Sequence, residues 1–213
     1  MQGDSMLPML VMVVIVVGAF AIVFGPQFAA SRTARRKLSV FAEAFPGEVK
    51  PTAFGRASFL GFWNDRQFSI DINEHTAGSN GRSSFIVTLL VPCRFTMETW
   101  PADGDALLFC KLGINKRAKT GDADFDSKLV FNTSDAGAAQ ELFFAPEARA
   151  AIGKIYQNRF RLFMTKKGPA VLNMDYSSDS PAVPPDTVRE MLACLEVVAK
   201  YSCVSETGVG ITG

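Results

Sequence analysis

The longest apolar run in the chain is Met6 to Phe24, MLPMLVMVVIVVGAFAIVF, and it holds no charged side chain. As a helix it rises about 28 Å, close to the hydrocarbon thickness of a bilayer, so 6–24 reads as a transmembrane helix. Pro8 falls in its first turn, where a missing N–H does little harm, and Gly25-Pro26 ends it. The apolar positions then thin out to Leu38, Phe41, Ala42 and Phe45, at i, i+3, i+4 and i+7. That spacing predicts an amphipathic juxtamembrane helix over 28–47, stopped by Pro46-Gly47.

Beyond Glu48 the period drops to two. Phe54 to Trp63 reads as a strand interrupted by Gly55 and Gly61, Asn64-Asp65 as a turn, and Gln67 to Asn73 as a cleanly alternating strand. Thr76 to Ser84 reads as a Gly/Ser/Asn loop. Phe85 to Val91 is almost wholly apolar and predicts a central strand covered on both faces. Arg94 to Trp100 alternates, turns at Pro101 to Asp105 and returns as Ala106 to Leu112, completing a meander of about five strands.

The second half mixes the two periods. Asn115 to Asp126 reads as a polar loop and Lys128 to Asn132 as a strand. Ser134 or Asp135 caps a helix with Ala138, Ala139, Leu142 and Phe143 on its apolar face. Pro146 opens another with the stripe Ala148, Ala151, Ile152, Ile155 and Tyr156. Phe160, Leu162 and Met164 begin a hairpin that turns at Lys166-Lys167-Gly168-Pro169 and returns over Ala170 to Met174. After the Ser/Pro loop Ser177 to Pro185, Thr187-x-x-Glu190 reads as a capping box. The stripe of the helix it opens is Val188, Met191, Leu192, Leu195, Val198 and Ala199. The fold class is α+β: an N-terminal transmembrane helix, then a mainly antiparallel sheet with amphipathic helices packed on one face. The domain spans 48–204 and 205–213 is a flexible tail.

Charge sets the compartment. The start, MQGDS, has no base, whereas Arg32, Arg35, Arg36 and Lys37 follow the span. The positive-inside rule therefore places the N-terminus outside and the domain in the cytoplasm, with these four residues at the inner-membrane surface. The missing basic start and the long apolar run argue for a retained single-pass signal-anchor over a cleaved leader. Cys93, Cys110, Cys194 and Cys203 show no C-x-x-C spacing and read as reduced thiols. With 22 basic against 21 acidic residues there is no phosphate-binding excess, so nucleic acid is not an expected partner. A hydrophobic share of 48% with 18 Phe excludes disorder over most of the chain.

Candidate chemistry is sparse. His75 is the one histidine, so multi-histidine zinc sites are out, and no G-x-S-x-G, Walker A or dinucleotide pattern occurs. Asp122, Asp124 and Asp126 alternate like hard-cation ligands, yet Ser127 and Thr133 stand where a calcium loop wants Gly and Glu. The simpler expectation is a turn whose carboxylates cap backbone N–H groups while Phe125 plugs the core. Lys116-Arg117-Ala118-Lys119 and Lys166-Lys167 read as solvated loops.

The segment Gly121-Asp122-Ala123-Asp124-Phe125-Asp126, followed by Leu129-Val130-Phe131, resembles a pattern in uncharacterised membrane-anchored bacterial proteins. Those carry a G-D-x-x-F-D segment before a strand and a helix pair. The resemblance covers Lys111 to Met174 and implies a membrane-tethered domain without supplying catalytic residues.

The function expected is a membrane-anchored cytoplasmic interaction or assembly module with no catalytic activity, cofactor or metal. Asp122, Asp124, Phe125 and Asp126 form its candidate interaction loop. Its partners are the lipid bilayer and other membrane or cytoplasmic proteins, with a homo-oligomer packed through Ala21-x-x-x-Gly25 as one option. The alternative is a tethered domain that binds a small apolar ligand or lipid in a Phe-lined cavity.

Overall fold

The computed structural model describes residues 12–15, 18, 32–52, 57–74, 82–102, 117–177 and 183–202. Residues 12–15 and 18 are helical, and the rest of the 6–24 span lies outside the described residues. So do His75, Cys110, Cys203, the return strand 106–112 and the tail 205–213. Among the described residues no helix is long and apolar enough to cross a membrane.

Helix α1 covers 32–44. It buries Ala34, Leu38 and Phe41 and hands over to buried Phe45, whose N–H donates to the Phe41 carbonyl at 2.9 Å. Ala42 is exposed, which corrects the expected stripe. Buried positions spaced 4, 3 and 4 residues apart follow one narrow helical seam, and Ala42 falls off its flank.

The strands are β1 (Gly47–Pro51), β2 (Ala57–Trp63), β3 (Arg66–Glu74), β4 (Arg82–Leu89), β5 (Met97–Pro101), β6 (Arg117–Ala118), β7 (Leu129–Thr133), β8 (Arg161–Met164) and β9 (Ala170–Ser177). The remaining helices are α2 (Ala123–Lys128), α3 (Ala136–Phe144), α4 (Pro146–Gln157) and α5 (Pro185–Ser202). Among the described residues these strands form one antiparallel sheet in the order β1-β2-β3-β4-β9-β8-β5-β7-β6.

That order corrects the simple meander. Strands β1 to β4 do follow one another, with Asn64 and Asp65 both at positive φ (45° and 63°) in the tight turn between β2 and β3. The β8–β9 hairpin then inserts between β4 and β5, pairing Phe85 with Met174, Val87 with Leu172 and Leu89 with Ala170. Periodicity identifies strands but says nothing about which distant strand completes an edge. Strand β1, absent from the sequence reading, is short and mostly exposed, so it lacks the alternation that marks a strand.

Only one face of β4 is fully covered, against the expectation for Phe85 to Val91. Phe85, Val87 and Leu89 are buried while Ile86 and Thr88 are half-exposed. The buried face meets the stripes of α1, α3, α4 and α5 in a single core. Phe41 packs on Phe59 and Phe85 at ring-centroid distances of 6.4 and 5.8 Å, and Phe45 packs on Phe68 at 5.3 Å. Gly61 makes room for this crowd, since a Cβ there would stand 2.6 Å from the Phe59 ring and 2.8 Å from that of Phe68.

The helix starts also adjust the reading. Asp135 caps α3 by accepting from Ala138 N–H at 3.0 Å, while Ser134 Oγ accepts from Thr96 N–H. Helix α5 begins at Pro185, two residues before the expected cap, and the Val188 N–H already donates to the Pro184 carbonyl. A proline at the first helical position needs no N–H partner, so Thr187 lies inside the first turn and Glu190 is left to pair elsewhere.

Candidate functional site

The acidic segment is a short helix rather than a turn. Gly121, at φ +83°, lets the chain swing into α2. Asp122 then caps the helix, its Oδ1 accepting from the N–H groups of Asp124 and Phe125, both at 3.1 Å. Asp122 Oδ2 accepts from Arg149 Nη1 at 3.2 Å and so ties α2 to α4. Asp124 pairs with Lys128 one turn on, at 2.7 Å. Asp126 Oδ1 accepts from both the N–H and the Oγ1 of Thr120, each at 2.9 Å. The carboxylates are thus separated among different donors, and no group of three metal-ligating side chains forms among the described residues.

Phe125 is half-buried. Its ring stacks on Phe131 at 5.6 Å with 12° between planes, and Phe131 meets Phe143 edge-on at 4.6 Å. Through that stack α2 is fixed to β7 and α3. The outer side of Phe125 borders a cleft of about 740 Å³ between α2 and α4, whose lining includes Asp122, Lys128, Arg149, Gly153, Lys154 and Tyr156. A second open cleft, of about 360 Å³, shares Tyr156 and Gln157 and is otherwise lined by Pro101, Arg159, Phe160 and Arg161.

Lys154 reaches from α4 to Glu190 of α5 at 2.5 Å. The hydrogen bond to Glu190 raises the Lys154 pKa above its ordinary value, against a smaller opposing effect of burial. Beside this pair, burial pushes the Cys194 thiol up, with Lys154 pulling the other way. Cys93 and Cys194 are both buried.

Sequence reasoning found Asp122, Asp124, Phe125 and Asp126 but not Arg149, Gly153 or Lys154, and it read Glu190 as a helix cap where the structure pairs it with Lys154. Arg149 and Gly153 lie i, i+4 on the flank of α4 beside its apolar stripe, both half-buried, and a base and a glycine at a helix flank carry no signal of a cleft in the sequence. The other candidate group lies on α1, where Arg32, Arg35 and Arg36 are exposed and Lys37 is half-exposed. Lys119, Lys166 and Lys167 are exposed, but Arg117 and Ala118, expected in a loop, form β6 against β7. Phe41, Phe45, Phe59, Phe68 and Phe85 pack against one another's rings between α1 and the sheet.

No protein-family model and no curated protein matches the sequence. Among solved structures the chain is similar to the crystal structure of the mycobacterial trehalose monomycolate transport factor A, TtfA. The two share 11% identity at a TM-score of 0.48, over 81% of this chain and 98% of that one. A likeness of that degree bears on neither ligand nor partner.

Proposed function

We propose that this chain is a single-pass, membrane-anchored module that binds partners at the cytoplasmic membrane surface and carries no catalytic chemistry. The observation that carries the reading is the two-sidedness of α1. Its Leu38 and Phe41 are fully buried in the domain core, while Arg32, Arg35 and Arg36 are exposed at the end nearest the apolar 6–24 stretch. A helix wedged into the core is a rigid strut, so the domain is held close beneath the bilayer with its basic row toward anionic headgroups. Each such base near the surface contributes about 1 kcal/mol. Other membrane or cytoplasmic proteins are the partners proposed, with self-association through the anchor as a further option.

The test is topology. A reporter fused after Gly213 is active only on the cytoplasmic side, and reversing Arg32, Arg35, Arg36 and Lys37 to Glu weakens or inverts that orientation. Reporter activity on the outer side with the native charges rules the reading out. A second reading, a tethered domain that binds a small apolar ligand or lipid, is favoured by the open cleft beside Phe125.

A further inference from the structure

We propose that the cleft between α2 and α4 binds a small amphiphilic anion, with its apolar body over Phe125 and Gly153 and its carboxylate or phosphate on Arg149. The inference rests on the second reading above and adds the ligand's charge and its contacts.

The first support is a glycine with no structural need to be one. Gly153 sits in the middle of α4, where glycine is disfavoured by roughly 1 kcal/mol relative to alanine. Packing does not demand it, because an added Cβ would meet only Phe125 Cε2, at an ordinary 3.7 Å. What the missing side chain leaves open is the cleft itself, beside an aromatic ring whose far side is already stacked on Phe131. An apolar group lying there covers the bare helix backbone and the Phe125 ring together.

The second support is the balance of hydrogen-bonding capacity. Asp122 is engaged at both oxygens, by the α2 backbone at one and by Arg149 at the other. Arg149 lines the cleft with its side chain about a third exposed, and among the described residues it gives one N–H, to Asp122, out of the five a guanidinium carries. Lys154 gives one of its three donors to Glu190. The acids that line the cleft are matched internally, whereas its bases keep donors in hand. A ligand there is favoured by acceptors, and a planar carboxylate or a phosphate matches the Arg149 fork. The volume of about 740 Å³ suits a small molecule.

The test uses the full chain in phosphatidylcholine nanodiscs, titrated calorimetrically against empty nanodiscs with three probes. Octanoate has both body and head, inorganic phosphate the head alone, and 1-octanol the body alone. The proposal expects octanoate to saturate at one per chain and the other two to bind at least tenfold more weakly. Arg149→Gln should lower octanoate affinity at least tenfold. Gly153→Leu, which fills the cleft without penalising the helix, should do the same with no fall in melting temperature. In phosphatidylglycerol nanodiscs, lost octanoate binding identifies an anionic lipid as the occupant, and unchanged binding identifies a soluble amphiphile.

Absent saturation, phosphate binding as tightly as octanoate, or affinity retained in either variant overturns the proposal. Equal binding of octanoate and 1-octanol overturns the anion assignment alone and leaves an apolar-ligand cleft standing.

Discussion

At the residue scale, burial separates side chains that the sequence makes look alike. Phe41 is fully buried among other rings, and Phe41→Ala should cost about 3–5 kcal/mol in urea unfolding. Phe125 is half-buried with one stacked neighbour, so its alanine variant should cost less, about 2 kcal/mol. Asp126→Ala removes the acceptor for two Thr120 donors and should cost about 1 kcal/mol. Asp124→Ala breaks only an exposed helical pair and should cost under about 0.5 kcal/mol. Equal losses for Asp124 and Asp126 would contradict the separate partnering of the carboxylates. Cys194 supplies a pH test. Burial raises its thiol pKa above the ordinary 9.0, so the folded state holds the proton more tightly than the unfolded chain does. Its contribution is complete below pH 9 and is lost as pH rises through the higher folded value. Lys154 is shifted in the same direction from 10.5. The urea midpoint should therefore decline above pH 9, and Cys194→Ala should flatten the first part of that decline.

At the element scale, the apolar seams of α4 and α5, the β2–β3 and β8–β9 turns and the alternation of β3 are all written locally. They are legible because a helix or a hairpin satisfies its own backbone and exposes a fixed face. Strand order is not local. Val87 faces Leu172 and Met97 faces both Met164 and Thr133, and nothing in the alternating pattern chooses among such partners. The same limit hid most of the cleft. The G-D-x-x-F-D segment flags α2, but Arg149 and Lys154 matter only because α4 packs alongside α2 and α5. Insertion of β8–β9 at the centre of the sheet has a measurable consequence. Amides of β4 and β9, each flanked by strands on both sides, should exchange only on global unfolding, whereas those of β1 and β6, the edges among the described residues, should exchange fastest. Fast exchange in β9 would mean that the hairpin is an add-on and not the middle of the sheet.

At the scale of the whole molecule, the proposed anchoring turns on α1. The residues that make α1 amphipathic also make it part of the domain, because Ala34, Leu38 and Phe41 belong to the same core as β2, β3 and β4. On the proposed reading, α1 carries the basic residues and the core contacts on one rigid element. The most direct measurement is alkaline carbonate extraction of membranes from cells that make the full chain, alongside a chain beginning at Arg32. The account predicts that the full chain stays with the membrane pellet, and that the shortened chain appears in the soluble fraction and unfolds cooperatively. Release of the full chain into the carbonate supernatant would contradict it.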